Sequence, residues 1–231
     1  MSGRSPRLCG SIFLCISPVL FGDFAFAAGY VTILATDLKG QDYERRCLYM
    51  GIWAIGDLHL SGAAPKPMDI FGPHWLDHWA KIRTFWQQHI HAEDTVLLAG
   101  DHSWAMRLAD ALCDLEEIAL LPGKKVLIRG NHDYWWDTVT KVNQVAPSGL
   151  VAIQADFTAV EDFAVCGTRG WLCPGPQKLS AQDMKIYQRE LCRLEMALTK
   201  AQSAGYTDLI ALLHYPPVNE LHQASGFTEL L

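Results

Sequence analysis

The chain has 231 residues, half of them hydrophobic and 19% charged, which suits one globular domain with a sizeable core and excludes a disordered chain. A formal net charge of -6 gives no overall field that would draw nucleic acid or anionic lipid, and no Lys/Arg run supplies a local one. The seven cysteines are odd in number, scattered and never spaced Cys-x-x-Cys, so reduced thiols in a cytoplasmic protein fit better than a disulfide framework or a zinc ribbon.

Residues 1–49 read differently from the rest. Arg4 and Arg7 precede an apolar stretch from Cys9 to Ala28, broken by Pro18 and Asp23, and Ala25-Phe26-Ala27 resembles a signal-peptidase site. The breaks make it a poor membrane span. Two readings remain: an export signal, or upstream translation from a misplaced start. The scattered cysteines favour the second and a cytoplasmic location. In both, residues 1–49 are expected to stand apart from the fold, and the domain is expected over 50–231.

From Met50 onward, short runs with both faces apolar predict buried strands at Trp53–Gly56, Thr95–Ala99, Val126–Ile128, Val151–Ile153, Phe163–Cys166 and Leu209–Leu213. Apolar residues at helical spacing predict helices over Trp75–His91, Ala105–Leu121 and from Ser180 to a C-cap at Gly205, the last opened by a capping box, Ser180-Ala181-Gln182-Asp183. Pro174-Gly175-Pro176 marks a loop. The alternation predicts a layered α/β domain.

Polar clusters follow four of these strands directly: Asp57 and His59, Asp101, Asn131-His132-Asp133, and His214. One Asp after a strand is usually a turn. Four strands delivering such groups to one edge point to a ligand site. Asp57 and His59, two apart, can share a metal, while Asp101 can bridge two cations. Asn131 and His214 add an amide oxygen and an imidazole. The oxygen and nitrogen donors, with no thiolate, suit Mn²⁺, Zn²⁺ or iron. His132 diverges from Asn131 and can face the substrate as a general acid, with Asp133 placed to orient its ring.

These motifs resemble the calcineurin-like metallophosphoesterases in order and spacing. Leu97-Leu98-Ala99-Gly100-Asp101-His102-Ser103-Trp104, Arg129-Gly130-Asn131-His132-Asp133-Tyr134-Trp135-Trp136 and Leu213-His214-Tyr215-Pro216-Pro217 look like a bacterial branch of predicted phosphohydrolases. The resemblance runs from Met50 to about the end of the chain. It implies a two-layered β-sandwich flanked by helices. It also implies two divalent cations, Mn²⁺ above all, with Asp57, His59 and Asp101 at one and Asp101, Asn131 and His214 at the other. The implied activity is hydrolysis of a phosphate monoester or diester on a small phosphorylated substrate, with neither membrane nor nucleic acid as partner; a nuclease and a catalytically silent relic are the alternatives. Two departures stand out. His102-Ser103-Trp104 replaces the second acid found in many relatives. The Gly-His-x-His that closes the family's site is not in the chain, whose C-terminal part is therefore expected to be missing.

The remaining candidates have plainer readings. His74 and His78 are expected on a solvated helix face, and His89 and His91 at a helix end. Trp104, Trp135 and Trp136 are expected as core or pocket wall. Arg129 and Arg169 are phosphate contacts or ordinary surface ion pairs.

Overall fold

The computed structural model describes residues 12–15, 51–63 and 65–231. Two four-stranded sheets face each other. One has the order β2-β3-β4-β5, all parallel: Ile52–Ile55, Thr95–Leu98, Lys124–Leu127 and Leu150–Ala152. The other runs β1-β8-β7-β6, with β1 at Ile12–Cys15, β6 at Asp156–Val160, β7 at Phe163–Thr168 and β8 at Asp208–Leu213. The architecture is the expected β-sandwich with flanking helices.

Period-two alternation sorts the side chains. Leu97, Ala99, Val126 and Ile128 meet Val165, Ile210 and Leu212 between the sheets. Val96, Leu98 and Leu127 point outward under helices α1 (His78–His89) and α2 (Leu108–Ala119). Ala164, Cys166, Leu209, Ala211 and Leu213 point the other way, under α4 (Ala181–Ser203). A strand buried on both faces must be apolar throughout, which is why these runs do not alternate in sequence. Lys125 breaks the rule. Its ammonium donates to the carbonyls of Ala119 and Leu121 at the end of α2, and burial lowers its pKa to about 8.

Both ends of α4 form as expected, with one difference. The Ser180 hydroxyl accepts the Asp183 N–H at 3.0 Å, but the Asp183 carboxylate takes Trp171 Nε1–H at 3.1 Å instead of closing the box. Gly205, at φ 95°, closes the helix: its N–H reaches Gln202 O and Tyr206 N–H reaches Ala201 O. Several elements are not announced by sequence pattern. β6, helix α3 (Val139–Val145) and helix α5 (Gly226–Leu230) are short and carry mixed polarity, so their periodicity is weak. The predicted first two helices are shorter than expected. Trp75 lies in a 3-10 turn, and α2 begins only after Arg107.

Within the leader, Ile12–Cys15 pairs parallel to β8 over Ile210–Leu213 as an edge strand. The rest of 1–49, including the signal-like stretch around Ala25, lies outside the described residues. Cys113, Cys166, Cys173 and Cys192 are free thiols. No helix among the described residues is long and apolar enough to cross a membrane.

Candidate metal centre

The chain leaves β2 and β3 side by side and keeps them paired through their loops. Asp57 N–H donates to Gly100 O at 3.0 Å, His59 N–H to Asp101 O at 2.9 Å and Leu60 N–H to His102 O at 2.9 Å. Asp57, His59 and Asp101 all adopt left-handed backbone, with φ of 56°, 48° and 57°. Such conformations cost roughly 1–3 kcal/mol each and persist where the surroundings impose them, often at functional sites. They turn the three side chains into one space. One donor atom from each lies within 4.8 Å of the others.

His59 Nε2 sits 3.4 Å from Asp57 Oδ1 and 3.8 Å from Asp101 Oδ2. On the other flank His214 Nε2 is 3.6 Å from the same Asp101 Oδ2 and 2.7 Å from Asn131 Oδ1. His214 Nδ1 faces the Ala99 carbonyl at 2.8 Å, which sets it as a donor and turns Nε2 toward Asn131 and Asp101. Burial pushes the Asp101 carboxyl pKa up, against the pull of His214. A cation between these groups would favour the ionised carboxylate. The oxygen and nitrogen donors therefore fit a divalent metal on their own chemistry.

Two glycines make the approach possible. A Cβ on Gly100, at φ 102°, would meet Gly130 Cα at 2.7 Å and His214 Nδ1 at 2.9 Å. One on Gly130 would meet Asp101 Oδ1 at 2.1 Å. Gly130→Ala is thus expected to lower stability by about 1–3 kcal/mol, the usual range for overpacking. It should also weaken metal binding by displacing Asp101. Thermal melts with and without Mn²⁺ check this, and a variant that melts and binds like the parent refutes the close approach.

Asp57, His59, Asp101, Asn131 and His214 thus come together at one edge of the sandwich. His132 also reaches it: its N–H donates to Asp101 Oδ1 at 2.7 Å, while its half-buried ring lies 5.8 Å from His59 and 4.8 Å from Trp104.

Asp133 does not orient the His132 ring, contrary to the expectation from sequence. It is fully buried and points back under the two loops, accepting N–H groups from Gly130 at 2.7 Å, Asp101 at 2.9 Å and His102 at 2.8 Å. Its ring partner is His102, with Nδ1 at 3.1 Å. The His132 ring instead has the Tyr134 hydroxyl at 3.4 Å from Nδ1. Sequence could not separate the two readings, because adjacency in the chain says nothing about which turn carries the acid inward.

His78 departs from its solvated-face reading. Its Nε2 lies 2.8 Å from the Leu58 carbonyl and braces the loop between Asp57 and His59. Of His74 only the backbone is described. His89 and His91 are exposed at the end of α1. Trp135 and Trp136 are core residues, whereas Trp104 stacks on His59 at 4.8 Å and 21°. Ser103 is buried and donates to Asp114.

The family model for calcineurin-like phosphoesterases matches residues 50–229. Among solved structures, a protein of unknown function from Aquifex aeolicus is 17% identical, over 74% of this chain and 82% of its own, with a TM-score of 0.39. A phosphopantetheinyl hydrolase from Mycobacterium tuberculosis is 14% identical, over 79% of this chain and 74% of its own, with a TM-score of 0.41. No curated protein matches.

Proposed function

The chain belongs to the calcineurin-like phosphoesterase family, and from that premise we propose that it hydrolyses a small phosphate monoester or diester with two divalent cations, Mn²⁺ first among them. The observation that carries the reading is the position of Asp101 Oδ2, 3.8 Å from His59 Nε2 and 3.6 Å from His214 Nε2. A single carboxylate between two imidazoles is placed to bridge two ions. Asp57 and His59 would complete one set, Asn131 and His214 the other. Divalent ions held by these residues would supply charge neutralisation at the phosphoryl group and an acidified water as nucleophile.

The chain's own residues do the rest. Asp101 is held by the His132 N–H on Oδ1, which leaves Oδ2 toward both flanks. Trp104 shields one face of His59. The half-buried His132 ring stands 5.8 Å from His59 and can deliver a proton to the leaving alkoxide. A net charge of -6 favours a small substrate over nucleic acid.

The direct test is a screen of nitrophenyl phosphate and bis-nitrophenyl phosphate with the chain loaded in turn with Mn²⁺, Zn²⁺ and Fe²⁺. Cation-dependent release of nitrophenol that EDTA abolishes is expected. No release with any cation, or release that ignores EDTA, sinks the reading. His132→Ala should keep the metal content and slow turnover of alkyl phosphates by roughly 10²–10⁴-fold, with a smaller loss on nitrophenyl esters, whose leaving group needs little protonation. Loss of bound metal in that variant would make His132 a ligand instead.

A further inference from the structure

Two arginines at the metal edge of the sandwich carry charge that the surrounding acids do not balance. Arg129 follows β4 and Arg169 follows β7. The ends of these strands face each other, since a Cβ on Gly167 would meet Ile128 Cγ2 at 2.6 Å. Both guanidiniums keep Nε buried without a hydrogen-bond partner. The Arg169 side chain is 12% exposed, and its acid among the described residues is Glu190, with Oε1 3.8 Å from Nη2. That carboxylate is already engaged. It binds Arg193 at 2.7 Å, faces Arg189 at 3.5 Å and accepts the Thr168 hydroxyl at 2.6 Å. Arg129 has no ion pair among the described residues.

Burial pushes the Arg169 pKa below its usual value against the pull of Glu190, and the charge of Arg129 adds a smaller push in the same direction. A partly buried guanidinium whose nearest acid is already engaged is unfavourable unless an anion joins it. Guanidinium forks match phosphate oxygens in geometry.

The pair adjoins the metal centre. Arg129 is one glycine from Asn131. The Arg169 carbonyl accepts His214 N–H at 3.1 Å and Tyr215 N–H at 3.0 Å. Trp171 lies under the Arg169 guanidinium, 4.4 Å from its ring centre, and packs on Tyr215 at 4.9 Å. These contacts hold the side chain on the Asn131 and His214 flank.

We propose that Arg129 and Arg169 form a second oxyanion subsite that takes a further phosphoryl group of the substrate, beside the one held at Asp101. The substrate class is then a diphosphate ester or phosphoric anhydride, a clause that rests on the hydrolase reading above. The subsite itself does not need it.

The test is calorimetric titration of the full chain with inorganic pyrophosphate and with inorganic phosphate, in excess EDTA. Without cations Asp57 and Asp101 repel anions, so binding reports the arginines. Pyrophosphate should bind the parent at least about 10-fold more tightly than phosphate, as one more set of charge-assisted hydrogen bonds implies. Arg129→Gln and Arg169→Gln should each weaken pyrophosphate by about 10-fold or more, and Arg169→Lys, which keeps the charge but loses the fork, by less. Melting curves identify a Gln variant that fails to fold, and the Lys variant then decides. No binding by the parent, or variants that bind pyrophosphate like the parent, overturns the subsite. Equal affinity for phosphate and pyrophosphate overturns the second phosphoryl group. A chain that binds pyrophosphate through these arginines yet cleaves no ester keeps the subsite and loses the hydrolase reading, so the two failures are distinct.

Discussion

Asp101→Asn is expected to remove bound metal and hydrolytic activity together while leaving the fold intact. Asn matches Asp in shape, and its amide oxygen can still accept the His132 N–H that Oδ1 accepts at 2.7 Å. What disappears is the negative charge at Oδ2, between the imidazoles of His59 and His214. A neutral amide either offers one lone pair to one side or turns N–H donors toward groups that need a cation. Outer-shell partners of metal sites typically cost 10–100-fold in affinity, so a bridging ligand should cost at least about 100-fold. Metal content after dialysis, hydrolysis rate and thermal midpoint are to be measured side by side. A variant that folds and retains its metal would show that Asp101 is only a turn residue held at φ 57°.

Asp133→Ala should be the most destabilising single change near the site, by about 3–5 kcal/mol, the range for removing one partner of a buried charged pair. The carboxylate has no exposure and ties two backbone segments, the Gly130 turn and the Asp101–His102 loop, to each other and to the Trp135 indole. Its loss strands those N–H groups in the interior and leaves the His102 ring without its acid. Burial alone would raise the Asp133 pKa, but facing His102 and the N–H donors hold it well below the carboxylate range. A depressed carboxylate contributes stability that is present above its unfolded pKa, about 3.9, and lost as pH falls further. Burial lowers the His102 pKa and Asp133 more than restores it, so the net shift is upward. A raised imidazole contributes stability that is full below about 6.5 and fades as pH rises through the folded value. The gap between parent and variant should therefore be widest between about pH 4 and 6.5. Urea unfolding in EDTA across that range measures it; a gap that stays flat from pH 3 to 9 would mean that Asp133 acts by packing alone.

The contrast between these two acids shows what was legible. Both follow a strand, both stand beside a histidine, and each lies in a Gly-containing motif. Sequence pattern located the strands because burial on two faces demands unbroken apolar runs such as Thr95–Leu98 and Asp208–Leu213. It located Asp57, His59, Asn131 and His214 because polar groups gathered at one sheet edge suit ligands better than turns. It missed β6 and α3, whose few residues carry no clear period.

By itself, then, the sequence determined the α/β layering, the strand ends and the donor types. The tertiary structure alone decided which acid faces the candidate metal site and which lies beneath it, because side-chain direction there depends on long-range bonds. Asp133 is held inward by N–H groups of Asp101 and His102, some thirty residues earlier in the chain. His78 reaches the Leu58 carbonyl, in the loop after β2, from the start of helix α1. Arg169 comes beside Arg129 only when two strands of opposite sheets meet at Gly167 and Ile128. Local pattern sets what a residue can do; the pairing of distant backbone sets which neighbour it does it to.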